Sequence, residues 1–300
     1  MNRSSVRHAG ASVGALVLVL GLAGLATAAL LSAIDDPPLA TGRVAGVGPQ
    51  GRVAQFKVEC GWSHAASDDP IVHPGVPGAS HRHDFFGNTS TYAGSTALDL
   101  RSSATTCQNK LDTAAYWAPA LLVDGTPVAP LGSVAYYRPG SGVDPADLRP
   151  YPAGLMMVAG DGGATGPQPR EVAAWHCGAS PALHATPPAC SRTAPLAVRV
   201  AFPDCWDGVR LDSADHKSHV AYSSEGHCPR EHPVPVPQLI FEVRYPVTGD
   251  PSALALASGG THGAHADFLN AWDQQALERE VRVCLNGNRV CGVVSNRATG

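Results

Sequence analysis

Alternation of apolar and polar positions is the clearest local signal along this chain. QLIFEVRY (238–245) and LAVRVAF (196–202) alternate with a period of two and stop at Pro246 and Pro203, as strands with one buried face do. VAQFKVEC (53–60) alternates in the same way. AYWAPALLV (115–123) is a mainly apolar run closed by Asp124-Gly125, a good hairpin turn, and SVAYYR (133–138) follows it. GLMMVAGD (154–161) is short, apolar and bounded by turns. Helical spacing is convincing in one place. In WDQQALEREVRVC (272–284), Leu277, Val281 and Cys284 fall at i, i+4 and i+7, and Asp273 is placed to cap the first turn. The pattern predicts a mainly β fold, an antiparallel β-sandwich-like single domain with long loops and one C-terminal helix.

Composition sharpens this picture. The 300 residues include 32 Gly and 26 Pro, and only 15% are charged, against about 25% in typical domains. Such a chain is rich in turns and poor in long exposed helices. The formal net charge is -4 and no basic block occurs, so nucleic acid is not an expected partner.

The first residues read as a targeting segment. Arg3, Arg7 and His8 precede a nearly uncharged apolar run over residues 11–34, and Asp35-Asp36-Pro37-Pro38 follows. That is the layout of an export signal, with Ala26-Thr27-Ala28 as a cleavage site. The run is also long enough to anchor the chain in a bilayer, which takes ~20 residues. Residues 1–34 are therefore expected to be a signal peptide or membrane anchor, 35–52 a linker, and 53–300 one extracellular domain. Both readings of residues 1–34 put the domain outside the cytoplasm, secreted or held at the outer face of the membrane. The 8 cysteines agree, since an even number in an exported chain reads as a disulfide framework. Sequence permits 105 pairings. Local closure predicts Cys284 with Cys291 around the Asn286-Gly287-Asn288 turn, Cys177 with Cys190, and Cys205 with Cys228, leaving Cys60 with Cys107. These bridges would pin the long loops.

The candidate chemistry lies in 13 histidines, clustered in HRHD (81–84), DHKSH (215–219) and HGAHAD (262–267). On a strand, His81 and His83 share a face, and so do His265 and Asp267. His-x-His is a good bidentate arrangement for zinc or copper. The expected metal set is His81, His83, His265 and Asp267. Asp215, His216, Lys217 and His219 join these four as candidate catalytic groups for proton transfer. Solvated or backbone-bonded loop histidines are the bland alternative. Trp206 and Trp272, flanked by acids and Asn, suit the apolar face of a sugar ring. With Asp207, Arg82 and Tyr222 they form the candidate substrate-binding set, whereas Trp117 sits in an apolar run and reads as core. The acids Asp84, Asp204, Asp207, Asp212, Asp215, Asp267 and Asp273 include enough candidates for a glycosidase pair, which also needs a set separation. No G-x-S-x-G, H-E-x-x-H or phosphate-binding loop occurs, so serine hydrolases, zincins and nucleotide enzymes lack support.

Several segments, in order, resemble one family. GASHRHDFFGN, KLDTAAYWAPAL, AFPDCWDGVRLDSADHKSHVAY, CPREHPVPVPQLIFEVRY and HADFLNAWD are similar to the secreted domain of unknown function numbered nineteen-ninety-six, over about residues 56–291. The matching positions include His81, His83, Phe85, Phe86, Gly87, Trp117, Asp204, Trp206, Asp207, Asp215, His216, Lys217, His219, Gln238, His265, Asp267 and Trp272. Ala266 departs from the family pattern, where Gly follows the histidine, and His262 stands where an aromatic residue is expected. The resemblance implies an extracellular setting in fungi and actinobacteria, often beside carbohydrate-binding modules such as WSC, and hence polysaccharide or cell-wall glycan as partner. It implies no reaction. Three functions are carried forward: a carbohydrate-active hydrolase or lyase with a metal or acid–base site, a non-catalytic glycan-binding or wall-associated protein, and a copper-dependent oxidase.

Overall fold

In the computed structural model, residues 53–294 are described; the targeting segment expected at 1–34 and the linker at 35–52 lie outside them. The strands in chain order are β1 (Gln55–Cys60), β2 (Trp62–Ala66), β3 (His83–Gly87), β4 (Ala115–Pro119), β5 (Leu121–Val123), β6 (Thr126–Pro127), β7 (Gly132–Arg138), β8 (Met156–Gly160) and β9 (Ala173–Cys177). There follow β10 (Leu196–Ala201), β11 (Cys205–Trp206), β12 (Val220–Ala221), β13 (Val234–Pro235), β14 (Gln238–Tyr245), β15 (Leu254–Leu256), β16 (His265–Leu269) and β17 (Val290–Val293). A six-stranded sheet runs β17-β1-β7-β14-β10-β9, and a five-stranded sheet runs β2-β3-β4-β16-β8. All pairs in these two sheets are antiparallel except β1 with β17.

The two sheets form a sandwich because each offers an apolar face to the other. Phe56, Tyr137, Val198 and Phe241 of the larger sheet share one core with Phe86, Tyr116, Met157 and Phe268 of the smaller. Phe241 stacks on Tyr116 at 5.5 Å and meets Phe86 edge-on at 5.6 Å, geometries that favour aromatic pairs. The five-stranded sheet is covered on its other face too. Phe85, Trp117 and Leu269 point away from the sandwich and pack under Ile71 and under Leu100 of the short helix α1 (Ala97–Arg101). Each of β3, β4 and β16 is therefore buried along its whole length.

The expected strands at 53–60, 133–138, 154–161, 196–202 and 238–245 are present within a residue or two. The run 115–123 departs from expectation. It divides after Pro119 into β4, in the sandwich, and β5, in a small separate sheet with β6 and β15. The Ala120 amide still keeps the β3 register by donating to the Arg82 carbonyl, but its own carbonyl accepts from the Ala257 amide and the residues after it pair with β15. The C-terminal helix α2 (Gln274–Glu280) starts at Asp273, whose side chain accepts from the Ala276 amide, and continues as wider π-helical turns through Val281–Asn286.

Four disulfides close the loops: Cys60–Cys107, Cys177–Cys190, Cys205–Cys228 and Cys284–Cys291. Three are the pairs expected from local closure, and Cys60–Cys107 is the pair left over. They mark the fold as one for an oxidising, extracellular-type environment. Among the described residues no helix is long and apolar enough to cross a membrane.

Candidate metal centre

The outward face of the five-stranded sheet carries the histidine site. His83 opens β3 and His265 opens β16, with β4 between them. Phe85 lies opposite Trp117, and Trp117 opposite Asp267, so Asp267 shares this face. The segment 67–82 folds over it and brings Asp69 and His81. Adjacent acids fix that segment. Asp68 accepts from the amides of Gly78 (2.9 Å) and Ala93 (3.1 Å), and Asp69 accepts from those of Ile71 and Val72 (both 2.9 Å).

Three imidazoles meet there. Ring centroids are 4.2 Å apart for His81 and His83, 5.0 Å for His81 and His265, and 5.7 Å for His83 and His265. One ligand atom from each of the three lies within 4.8 Å of the others, and the same holds for Asp69, His83 and Asp267. His83 and His265 are buried, His81 half-buried. His83 Nδ1 is 3.0 Å from the Asp68 carbonyl oxygen, and His265 Nδ1 is 2.9 Å from that of Gly263. A carbonyl oxygen only accepts, so both Nδ1 atoms carry the proton and donate. Both Nε2 atoms are then bare, and they face each other at 3.5 Å. The Nε2 of His81 and both carboxylate oxygens of Asp267 are buried without a hydrogen-bond partner.

Two facing lone pairs need something positive between them. A shared proton is disfavoured, because 3.5 Å is long for a hydrogen bond and burial opposes charge on every ring. Burial, then His265 and His73, push His81 down to about 4. His83 is held well below its ordinary value by burial and then by His81, and His265 is lowered chiefly by burial. The carboxyls are strained in the other sense: burial, then the charge of Asp69, holds Asp267 well above the carboxylate range. A divalent cation removes both difficulties. Two nitrogens bound ~2.1 Å from a tetrahedral zinc stand ~3.4 Å apart, close to the 3.5 Å found. A carbonyl bond that fixes the tautomer and aims the other nitrogen is the usual support of a metal-bound histidine.

Neighbouring loops brace the site. Gln168 Nε2 donates to the carbonyls of His262 (2.6 Å) and Ala264 (2.8 Å), holding the turn before His265. A Cβ on Gly162 would stand 3.0 Å from the His265 ring. Lys217 Nζ donates to the Gly160 carbonyl at 2.6 Å, and its charge acts on His265 and Asp267.

The predicted residues thus separate. His81, His83, His265 and Asp267 come together, with Lys217 close by. The rest of the 215–219 loop is bonded to other partners. Asp215 accepts from the Ser218 and Lys217 amides and the Ser213 hydroxyl; the Ser218 amide contributes most to holding its carboxyl well below the usual range. His216 turns to Asp212, 3.0 Å away. His219 is fully buried between Ser213 Oγ (2.9 Å) and the Met156 carbonyl (2.7 Å). Among the candidate sugar-binding residues, Trp272 lies wholly inside the sandwich, its Nε1 donating to Tyr137 Oη at 3.1 Å. Trp206 donates to the Arg210 carbonyl at 2.6 Å, and Asp207 pairs with Arg210 Nε at 2.6 Å. Arg82 is exposed. Tyr222 donates to the Ala201 carbonyl and lines two cavities, of about 190 and about 940 Å³. Asp69 was not foreseen; the signal for it was the acid pair Asp68-Asp69 just ahead of the histidine segment.

No curated protein and no solved structure matches the chain. The family model described as "Domain of unknown function (DUF1996)" matches residues 69–272, a span that contains every member of the cluster, and the chain belongs to that family.

Proposed function

We propose that this is an extracellular, metal-dependent domain that acts on wall or extracellular polysaccharide. Its centre is His81, His83 and His265 with Asp69 and Asp267, and its ion is zinc or copper. The supporting observation is the 3.5 Å approach of two unprotonated Nε2 atoms beside a buried carboxylate with no partner. Mixed nitrogen and oxygen donors suit zinc and copper better than calcium or magnesium, which take oxygen ligands. His81, the one half-buried member, marks the side from which substrate approaches. A bound ion would supply Lewis acidity or an activated water there. His83 and His265 would hold it in fixed orientation, and Lys217 would offer positive charge to an oxygen developing negative charge. Beside β8, the partner strand of His265, lies the 190 Å³ cavity, which shares Val172 and Tyr222 with the larger cleft. This gives a glycan chain a surface to follow.

The depth of His83, His265 and Asp267 favours a second reading, a closed structural ion in a non-catalytic glycan-binding protein. Metal analysis by mass spectrometry decides first, on untagged chain purified from an oxidising host beside His83→Ala. The expected result is one equivalent of zinc or copper in the parent and none in the variant; no ion after soaking would overturn the proposal. Product formation from wall polysaccharide that disappears on chelation supports the enzyme, and its absence from metal-loaded protein supports the structural ion. Copper, with oxygen-dependent turnover, would identify the oxidase.

A further inference from the structure

The outward face of the six-stranded sheet, opposite the histidine site, holds an unusual pair of charges. Arg138 ends β7 directly across from Gln238 of β14, and Arg199 lies on β10 across from Glu242. Both arginines are half-buried. Among the described residues neither forms an ion pair or a side-chain hydrogen bond, and Arg199 Nε is buried with no partner. The nearest acid on the sheet is already engaged: Glu242 bonds Arg244 Nε at 2.7 Å with one oxygen and stands 3.2 Å from His176 Nε2 with the other. Burial, and then the charge of Arg199, push Arg138 down to about 10. Two like charges held together out of bulk water cost free energy unless an anion joins them.

The space in front of them is large. The cleft of about 940 Å³ is walled by Arg138, Gly140, Arg199, Asp204, Tyr222 and Gln238, within the size range of small-molecule sites. A second cavity of about 290 Å³ shares both arginines. The acids near the cleft leave the guanidiniums free. Asp204 is buried and gives its two oxygens to the Ser223 amide (2.7 Å) and hydroxyl (2.6 Å). Gly140 leaves room for it, since any Cβ there would fall 1.7 Å from its Oδ2. Glu171 sits exposed on the rim and attracts Arg199 without pairing to it. Val172 and Leu183 add apolar walls.

We propose that this cleft is a second ligand site, in which Arg138, Arg199 and Gln238 bind the carboxylate of an acidic sugar unit such as a hexuronate. The guanidinium fork matches a carboxylate with two parallel hydrogen bonds, the Gln238 amide is available beside it, and apolar walls accept the C–H face of the ring. The saccharide identity rests on the polysaccharide reading above. Under that reading the substrate is an acidic polysaccharide, which runs past Tyr222, the residue common to this cleft and the cavity beside Lys217.

The test is calorimetric titration of the full chain with oligogalacturonate, with the neutral oligogalactoside of the same length, with sodium sulfate and with an oligoglutamate. Arg138→Gln, Arg199→Gln and Arg199→Lys are titrated in parallel, and metal content is measured on each. The expected result is binding of oligogalacturonate over the neutral sugar, weakened by about tenfold or more in either Gln variant, with metal content unchanged. Arg199→Lys keeps the charge and the fold but loses the fork, so it too should weaken the uronate. The proposal falls if acidic and neutral sugars bind alike, if no probe binds, if the Arg variants bind as the parent does, or if sulfate or oligoglutamate binds as well as the uronate. Uronate binding by a protein that takes up no metal would leave this site standing and remove the metal-dependent function. Metal uptake without uronate binding would do the reverse.

Discussion

His83 and His265, 182 residues apart in sequence, aim their unprotonated Nε2 atoms at each other across β4 at 3.5 Å. Under the proposed metal reading a cation would lie between them, and metal binding would then be linked to folding. Any ligand that binds the folded state alone stabilises it, by about 2.7 kcal/mol at a hundredfold excess over its dissociation constant. Zinc or copper at that excess should raise the melting temperature, and chelation should reverse the rise. His83→Ala should melt at one temperature with or without metal. Differential scanning calorimetry across a metal titration checks this.

Asp267→Asn should act differently on the two forms. Both oxygens of this buried side chain lack partners, and burial favours its protonated form when no cation is bound, so the neutral amide resembles the metal-free state. With a cation, the amide removes a ligand. We expect the metal-free variant to be as stable as the metal-free parent or more so, and metal affinity to drop by tenfold or more. Urea titrations with and without chelator measure the two effects separately; a variant destabilised equally in both forms would contradict the assignment.

His219 and His265 are both buried histidines in a shared family pattern, yet their surroundings give them different duties. His219 spends both ring nitrogens on Ser213 and the Met156 carbonyl. His219→Ala should cost about 1–3 kcal/mol of stability through the groups it leaves unpaired and leave metal stoichiometry intact. Gly162→Ala should show the converse. The new Cβ, 3.0 Å from Cε1 and Nδ1 of His265, forces the ring to shift by a few tenths of an ångström. Metal affinity should fall while the metal-free protein melts near the parent. Paired melting curves and metal titrations separate the two.

Strands inside the larger sheet were more legible than the functional centre, for a physical reason. β10 and β14 carry charged side chains on their outward face, so Arg199, Glu242 and Arg244 alternate with core residues and declare the strands. β3 and β16 are covered on both faces, so HDFFG and HADFL carry no alternation, and the strands that position His83 and His265 are the ones periodicity misses. The histidines themselves were visible as composition, and local spacing paired His81 with His83 and His265 with Asp267; the expectation that these pairs would meet also included His216 and His219, which are bonded elsewhere. Asp69 was not, because its place depends on a loop folding back over the sheet. Trp272 shows the limit of local chemistry: acids and Asn flank it in sequence, yet the start of α2 turns the ring into the sandwich.

That ring belongs to a buried polar chain with its own pH signature. Asp112 accepts from the Ala114 amide at 3.1 Å and from Tyr116 Oη at 2.8 Å; Tyr116 Oη lies 2.5 Å from Tyr137 Oη, which accepts from Trp272 Nε1. Burial pushes the Asp112 carboxyl up to about 8 from an ordinary value of 3.8, against the opposing pull of Tyr116 and Ala114. Between those two values the folded protein holds a proton that the unfolded chain has released. The unfolded state then binds fewer protons, so stability falls as pH rises through that window. Asp112→Asn mimics the protonated form and should flatten the decline. Its stability should be near the parent's below about pH 4 and exceed it increasingly up to about pH 8. Chemical denaturation of metal-free parent and variant at several pH values reads the two slopes, and identical slopes would place the proton elsewhere.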